Sequence, residues 1–353
     1  LELSNGIYSY SFVHRDAAGR RTRIEQQRYC DMANVHCAHL QYRVTPLNYR
    51  AELRLISGID GTITSNVVGD RQFDVSACAV PRPGLCRLDA LTRARRIAVS
   101  IGVRQRVWCD GRRAPLRACA ALCDAAAVAE HYLARVARNQ TLMLEKTIFA
   151  CCSEDARNHA SVSFDAWRAA AATQTFATAL GAHQALWKDY WRAADVTITG
   201  DARAQLYLRF CLFHLIAAAP RHTDTLGVPV KLLTGEYYQG NTFYDTDTYI
   251  VPFYTYTMPA WSRNCLHWRY LGLKHGRAIA KKLGFPGAKL AWQAGPYGEE
   301  CLGRWWHFTH SNIHINADAA YAMLQYVDAT GDDAFMRAYG VEFLIESARF
   351  YAA

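Results

Sequence analysis

The sequence lacks the motifs that mark several common chemistries. It contains no Gly-x-Ser-x-Gly elbow, no P-loop and no Gly-x-Gly-x-x-Gly segment before a helix. The usual signs of nucleophilic acyl transfer, nucleotide hydrolysis and hydride transfer are therefore missing. No apolar run approaches the roughly twenty residues that cross a bilayer, and no signal segment opens the chain. We expect a soluble protein that does not associate with membranes.

Runs of basic residues are also missing, although the formal net charge is +9. The arginines are scattered singly or in pairs and form no long run, which favours a general surface bias over a nucleic-acid site. Attraction of an anionic substrate is a lesser alternative. The twelve cysteines show no pair of CxxC units with zinc spacing, and Cys151 and Cys152 are adjacent. We expect buried reduced thiols and no metal site.

The periodicity of apolar residues changes along the 353 residues, whose number suggests two domains. Short alternating segments such as Leu40 to Pro46 and Ala51 to Gly58 predict an antiparallel β-sandwich as far as about residue 150. The alanine-rich residues 118–129 could form a helix, but within a sandwich they are expected to connect strands or form a poor strand. After Ser163 the spacing becomes helical. Helices are predicted at about 164–180, 182–194, 202–219 with Asp201 as N-cap, 247–259, 260–284, 315–330 and 332–351.

The densest mixture of glycines, aromatics and carboxylates lies in residues 233–269. There, Phe243-Tyr244-Asp245-Thr246-Asp247 precedes an apolar helical run. Sugar rings stack on aromatic faces, and carboxylates accept hydrogen bonds from their hydroxyls, so this pattern is typical of a sugar-binding loop. The structural alternative is an aspartate N-cap beside core aromatics.

Two further clusters lie on predicted connections between helices. Trp292 and Gln293 could stack on a ring and bond its hydroxyls, or they could belong to a turn followed by an exposed acidic pair, Glu299 and Glu300. His310 and His314 have the i, i+4 spacing of metal ligands, but no HExxH glutamate lies between them, so a hydrogen-bonding loop is preferred. Because all three clusters fall in one helical region, a shared binding site is favoured.

Taken in order, these segments resemble glycoside hydrolase family 65, which contains maltose, trehalose, kojibiose and nigerose phosphorylases and some trehalose hydrolases. The matching segments run through the whole chain: Ser57 to Gly61, Thr234-Gly235-Glu236, Phe243 to Asp247, Pro252-Phe253, Trp292-Gln293, His314 to Tyr321, Thr330-Gly331-Asp332 and Glu346 to Phe350. The order of these segments is more specific than any one of them.

The resemblance implies a partial N-terminal β-sandwich in residues 1–160, a helical linker in 161–200 and the first half of an (α/α)6 toroid in 201–353. It implies inverting phosphorolysis of an α-glucosyl disaccharide to β-glucose 1-phosphate, with inorganic phosphate as co-substrate and no cofactor. It also implies a cytoplasmic protein and a possible homodimer at full length. A hydrolase of the same family and a non-catalytic carbohydrate-binding module are the alternatives.

The resemblance transfers four substrate contacts to this chain: Tyr244, Asp245, Trp292 and Gln293. Tyr244 stands where the family has tryptophan, so it offers a smaller stacking face. The family's general-acid glutamate lies downstream of the last matching helix and has no counterpart here, so we expect this chain alone to be inactive. Half a toroid would also leave apolar side chains exposed, and we expect Phe343, Leu344 and Phe350 to be among them.

Overall fold

The computed structural model describes residues 1–113, 118–154, 174–303 and 307–353. The chain divides into two compact units, Leu1–Trp191 and Arg192–Ala353. Strands dominate the first unit, and the second is helical. The predicted succession of antiparallel strands followed by helices is confirmed.

Eleven strands form two antiparallel sheets in the described part of the first unit. In chain order they are β1 (Tyr8–Arg15), β2 (Arg21–Cys30), β3 (Cys37–Pro46), β4 (Ala51–Asp60), β5 (Phe73–Arg82), β6 (Leu85–Thr92), β7 (Ala98–Cys109), β8 (Arg112–Arg113), β9 (Ala118–Cys123), β10 (Ala127–Val136) and β11 (Leu142–Cys152). The larger sheet has the order β1-β2-β3-β11-β7-β6-β5, with β8 paired to β7, and the smaller has the order β4-β10-β9.

Apolar side chains from both sheets meet in a shared core. Val128 of β10 packs with Leu88 and Val103 of the larger sheet, and Tyr132 of β10 packs with Val107. Because alternate residues of a strand point to opposite faces, Val103 and Val107 turn inward while the arginines between them lie on the other face. Residues 118–129, predicted as a connection or a poor strand, contain β9 and the start of β10.

The first helix in the described residues, α1 (Phe176–Ala194), contains the end of the first unit at Trp191. The Tyr29 hydroxyl donates a hydrogen bond to the Phe176 carbonyl at 3.0 Å, and the Met32 N–H donates to Nδ1 of His183 at 3.1 Å. Trp187 is fully buried. The helix predicted over 182–194 is confirmed, whereas most of the helix predicted over 164–180 falls outside the described residues.

Helices and single helical turns make up the second unit. They are α2 (Ala202–Ala217), a 3-10 turn (Tyr237–Gly240), a π-helical turn (Thr246–Ile250), α3 (Val251–Thr257), α4 (Pro259–Leu271), α5 (Leu273–Leu283), α6 (Phe308–Ser311), α7 (Ile315–Thr330), α8 (Asp333–Phe335), a second π-helical turn (Met336–Gly340) and α9 (Val341–Tyr351). In the described ranges, none of these helices has the length and apolar character needed to cross a membrane.

Asp201 caps α2 as predicted, because its Oδ1 accepts from the N–H groups of Arg203 and Ala204, both at 2.9 Å. The continuous helix predicted over 260–284 is wrong, since α4 and α5 are separated at Gly272. The backbone of Gly298 passes so close to Gly272 that a Cβ on Gly298 would lie 2.7 Å from the Gly272 Cα. This contact brings the loop after α5 against the junction of the two helices.

Two expectations about burial are corrected. Phe343 and Phe350 are buried rather than exposed, and Leu344 is half-buried, because α9 turns that face inward and Phe350 packs on Phe285. The cysteines are only partly buried. Cys86 and Cys265 lie in the interior, whereas Cys211 is exposed on α2.

Candidate functional site

The loop before α3 is pinned to two other segments of the helical unit. Thr242 and Ala294 exchange two backbone hydrogen bonds of 2.9 Å. The hydroxyls of Thr242 and Thr246 both donate to the Val228 carbonyl, at 3.0 and 3.1 Å. Gly227 is required beside them, since a Cβ there would lie 2.4 Å from the Thr242 hydroxyl oxygen. The Thr242–Ala294 bridge places Tyr244 beside Trp292.

Three rings meet at this point. The centroids of Tyr244 and Trp292 are 5.6 Å apart, with an angle of 35° between the ring planes. His314 stands almost perpendicular to both, at 4.8 Å from Tyr244 and 5.9 Å from Trp292. These separations fall in the favoured range for aromatic pairs. We call Tyr244, Trp292 and His314, with the neighbouring carboxylates Asp245 and Asp318, the aromatic site.

His314 is oriented by a hydrogen bond from Nδ1 to Oδ2 of Asp318, at 2.6 Å. A carboxylate accepts hydrogen bonds, so Nδ1 carries the proton in this pair and Nε2 is the acceptor nitrogen of the neutral ring. His314 is exposed and Asp318 is half-buried. The histidine therefore presents a polar edge next to two aromatic rings.

The negative charge of Asp245 raises the pKa of Tyr244, with smaller contributions in the same direction from burial, Tyr249 and Asp318. A phenol is protonated at neutral pH even without this shift, so the Tyr244 hydroxyl can donate a hydrogen bond. The charges of Asp245 and Asp318 both act on the Tyr244 hydroxyl, so both carboxylates lie close to it. The site therefore combines aromatic stacking faces with hydrogen-bond donors and hydrogen-bond acceptors.

Asp247, only two residues from Asp245, has a different role. Its carboxylate forms a buried ion pair with Arg269, with bonds of 3.0 Å from Nε and 2.5 Å from Nη2. Nη2 of the same guanidinium also donates to the Phe243 carbonyl at 3.0 Å. Burial raises the pKa of Asp247, and the guanidinium opposes that rise. Neither aspartate caps the following turn through its side chain, so the N-cap alternative is wrong.

The loop carrying Trp292 is organised by Glu300. Its carboxylate accepts from the N–H groups of Trp292, Gln293 and Leu302, at 2.6, 3.1 and 3.1 Å. Glu299 accepts from the Tyr297 N–H at 2.9 Å. The alternative of an exposed acidic pair is therefore wrong, because both carboxylates are half-buried and bonded to the loop backbone.

Three of the four residues carried over from the family pattern lie at the aromatic site. Tyr244, Asp245 and Trp292 are half-buried there, whereas Gln293 is only 8% exposed and has less surface to offer a ligand. The predicted hydrogen-bonding segment from His310 to Asp318 does contain a side-chain pair, but it joins His314 to Asp318 rather than to His310. The i, i+4 spacing was informative, but the partner of His314 lies on its C-terminal side. In the described residues, no three His, Cys, Asp or Glu side chains are grouped to hold a metal ion.

The fold and site define a protein with a sheet-rich N-terminal unit and a helical unit that carries an aromatic, polar site. The family models for the glycosyl hydrolase family 65 N-terminal domain and central catalytic domain match residues 1–190 and 209–353. The chain belongs to glycosyl hydrolase family 65.

Several relatives are phosphorylases by name. Kojibiose phosphorylase of Caldanaerobacter subterraneus subsp. tengcongensis is 27% identical over all of this chain and 48% of its own length. The 1,2-alpha-glucosylglycerol phosphorylase of Bacillus selenitireducens is 36% identical over 60% of this chain and 29% of its own length. Alpha,alpha-trehalose phosphorylase of Thermoanaerobacter brockii is 41% identical over 46% of this chain and 20% of its own length.

A solved structure, a putative kojibiose phosphorylase from the human microbiome, shares the fold with a TM-score of 0.89 and 22% identity. The match covers 99% of this chain and 45% of that one. The chain thus spans about half the length of the two kojibiose phosphorylases that match all of it.

Proposed function

We propose that this chain is the glucosyl-binding part of an inverting phosphorylase that cleaves an α-glucosyl disaccharide to β-glucose 1-phosphate and glucose. The observation that carries the proposal is the aromatic site, in which Tyr244, Trp292 and His314 meet beside Asp245. Family membership and the phosphorylase names of the relatives support the reaction type. The substrate is of the maltose, trehalose or kojibiose type.

In this proposal Tyr244 and Trp292 stack on the glucosyl ring, and Asp245 accepts hydrogen bonds from its hydroxyls. The Tyr244 hydroxyl adds a hydrogen-bond donor beside the stacking rings. Gln293 is a further proposed contact, with 8% of its surface exposed. A tyrosine stacks over less area than a tryptophan, so sugar preference is expected to differ from that of the family's Trp-containing members.

We further propose that the helical unit forms part of an (α/α)6 toroid. The proposed domains are a partial β-sandwich in residues 1–160, a helical linker in 161–200 and the first half of the toroid in 201–353. Inorganic phosphate is the co-substrate, and neither a metal nor an organic cofactor takes part. We assign no catalytic acid within these residues, because the family's general-acid segment has no counterpart in the sequence. A cytoplasmic location and a homodimer at full length complete the proposal.

The test uses the full-length gene product with maltose, trehalose and kojibiose, each with and without inorganic phosphate. We expect glucose and glucose 1-phosphate to appear together and only when phosphate is present. Asp245→Ala should lower kcat about 100-fold, the range seen when a group that stabilises a transition state is lost. Asp328→Ala, at an exposed position on α7, serves as the control and should retain activity.

A different experimental result would contradict each part of the proposal. Equal glucose release without phosphate would identify the hydrolase alternative. Near-normal turnover by Asp245→Ala would remove that residue from the substrate site, even if phosphorolysis were established. Sugar binding without turnover of any of the three disaccharides would favour the binding module.

A further inference from the structure

A short loop beside the aromatic site holds its backbone in a conformation that glycine alone adopts readily. In the 3-10 turn Tyr237–Gly240, Tyr238 and Gln239 have φ values of 58° and 57°, and Gly240 continues with 72°. Two consecutive residues with side chains in this left-handed region cost free energy, because each Cβ lies too close to the following carbonyl oxygen. Such conformations persist where the surrounding structure holds them, and they cluster at active sites and ligand clamps.

Backbone hydrogen bonds hold the loop in this conformation. The Gln239 N–H donates to the Glu236 carbonyl and the Asn241 N–H donates to the Tyr238 carbonyl, both at 3.0 Å. The Val230 N–H closes the base of the loop by donating to the Asn241 carbonyl at 3.1 Å. The position of the Tyr238 side chain is therefore set by the backbone of the loop.

The Tyr238 ring joins a row of aromatic rings that ends at the aromatic site. Its centroid lies 5.2 Å from that of Phe243, and the Phe243 centroid lies 6.0 Å from that of Trp292, both pairs being edge-to-face. Trp292 is the ring that approaches Tyr244. Phe243 is buried, whereas Tyr238 is 50% exposed. The row thus offers a second and more open ring next to the pair proposed to hold the glucosyl unit.

Lys231 adds a charged hydrogen-bond donor beside this second ring. Its Nζ lies 5.8 Å from the centroid of the Tyr238 ring, within the range of a cation–π contact. The Lys231 side chain is exposed, and an ammonium group carries three N–H donors and no acceptor. Sugar hydroxyl oxygens accept such bonds, so the ring and the ammonium together suit a sugar better than a purely apolar ligand.

We propose that Tyr238 and Lys231 bind the acceptor sugar, the unit that phosphorolysis releases as glucose, and so help to determine which disaccharide is used. The inference rests on the proposed function, because it takes Tyr244 and Trp292 as contacts to the glucosyl unit. A disaccharide joins its two rings through one oxygen, so the second ring binds immediately beside the first. Contact through Phe243 places Tyr238 at such a neighbouring position. Stacking on Tyr238 orients the acceptor ring, and Lys231 donates to its hydroxyls.

Kinetics of the full-length gene product in the synthetic direction, with β-glucose 1-phosphate as donor and glucose as acceptor, separate the two sugar positions. Tyr238→Ala should raise KM for the acceptor about tenfold, or about 1.4 kcal/mol, and leave KM for β-glucose 1-phosphate within about twofold. Tyr238→Phe keeps the stacking face and should behave as the unaltered enzyme does. Tyr237→Ala removes a 70% exposed ring from the same loop and is the matched control.

A second pair of variants tests whether the backbone conformation positions the ring. Gln239→Val keeps the Tyr238 ring but disfavours the left-handed backbone, because a β-branched side chain is crowded there. It should raise the acceptor KM as Tyr238→Ala does. Gln239→Gly permits the same backbone and should leave the acceptor KM unchanged.

An unchanged acceptor KM in Tyr238→Ala, with Asp245→Ala still lowering kcat, would overturn this inference and leave the proposed function intact. An equal rise in Tyr237→Ala would overturn it in favour of a general effect of the loop. Calorimetry with maltose, trehalose and kojibiose in phosphate-free buffer tests the contact even if phosphorolysis is not observed. Tyr238→Ala should weaken disaccharide binding about tenfold. Equal affinities of variant and unaltered protein, or no binding of any of the three sugars, would refute the acceptor contact.

Discussion

At the scale of residues, burial separates side chains that look equivalent in the sequence. Asp245 is half-buried beside Tyr244, whereas Asp247 is buried against Arg269. Both aspartates lie in the same short pattern. Arg269, twenty-two positions after Asp247, pairs with that carboxylate and leaves Asp245 as the aspartate beside the aromatic rings. The family resemblance selected Asp245, but the ion pair explains why Asp247 is occupied elsewhere.

Lys289 is a second buried ion and makes stability depend on pH. Its side chain is 1% exposed, and Nζ donates to the Thr309 carbonyl at 2.9 Å. Burial lowers the pKa of Lys289 below 10.5, while Glu300 opposes the shift. The unfolded chain therefore binds more protons than the folded chain between the lowered pKa and 10.5, so this group's contribution to stability rises with pH through that window.

We therefore predict that the free energy of unfolding of the unaltered chain rises relative to that of Lys289→Met as the pH is raised from neutral to 10.5. Urea unfolding at several pH values measures the difference, in which other titrating groups cancel. Lys274→Met, at an exposed helix position, should give a difference that does not change with pH. A flat difference for Lys289→Met as well would contradict the prediction.

At the scale of elements, one amide ties three segments of the helical unit together. Asn316, fully buried at the start of α7, accepts from the Leu290 N–H at 2.8 Å. Its Nδ2 donates to the Ala288 carbonyl at 2.9 Å and to the Ser347 hydroxyl oxygen at 3.0 Å. The loop leading to Trp292 and helix α9 are both fixed to α7 by this side chain.

Asn316→Asp should destabilise the chain by about 2 to 3 kcal/mol, because a carboxylate cannot donate to the Ala288 carbonyl and a buried polar group left unpaired costs about 1 to 3 kcal/mol. Thermal or urea unfolding measures the loss. Asn312→Ala, at a half-buried position before α7, is the control and should change stability by less than about 0.5 kcal/mol. If Asn316→Asp were as stable as the unaltered chain, the hydrogen-bonded tie would carry no net stability.

At the scale of the whole molecule, the helical unit exposes apolar side chains on a face other than the one expected. Val341 and Ile345 are 45% and 47% exposed on α9, and Tyr321 and Leu324 are exposed on α7. The proposed toroid would cover such a face with further helices. Uncovered, contiguous apolar surface promotes association.

We expect this chain to self-associate as its concentration rises. Val341→Lys/Ile345→Lys should reduce association without loss of folding, since both positions are exposed. Size-exclusion chromatography with light scattering measures the mass across a concentration series. Ala182→Lys/Ala185→Lys adds the same charge at exposed positions of α1 and should leave association unchanged. A monomer at every concentration would refute the expectation.

The sequence by itself determined the order of strands and helices, because alternation in period two and spacing near 3.6 are local properties of the chain. It also determined the Asp201 cap and, through the order of matching segments, the family. Tertiary structure decided the break at Gly272, the inward turn of Phe343 and the meeting of Tyr244 with Trp292. Each of these depends on which distant segments become neighbours, and that information is not contained in any local pattern.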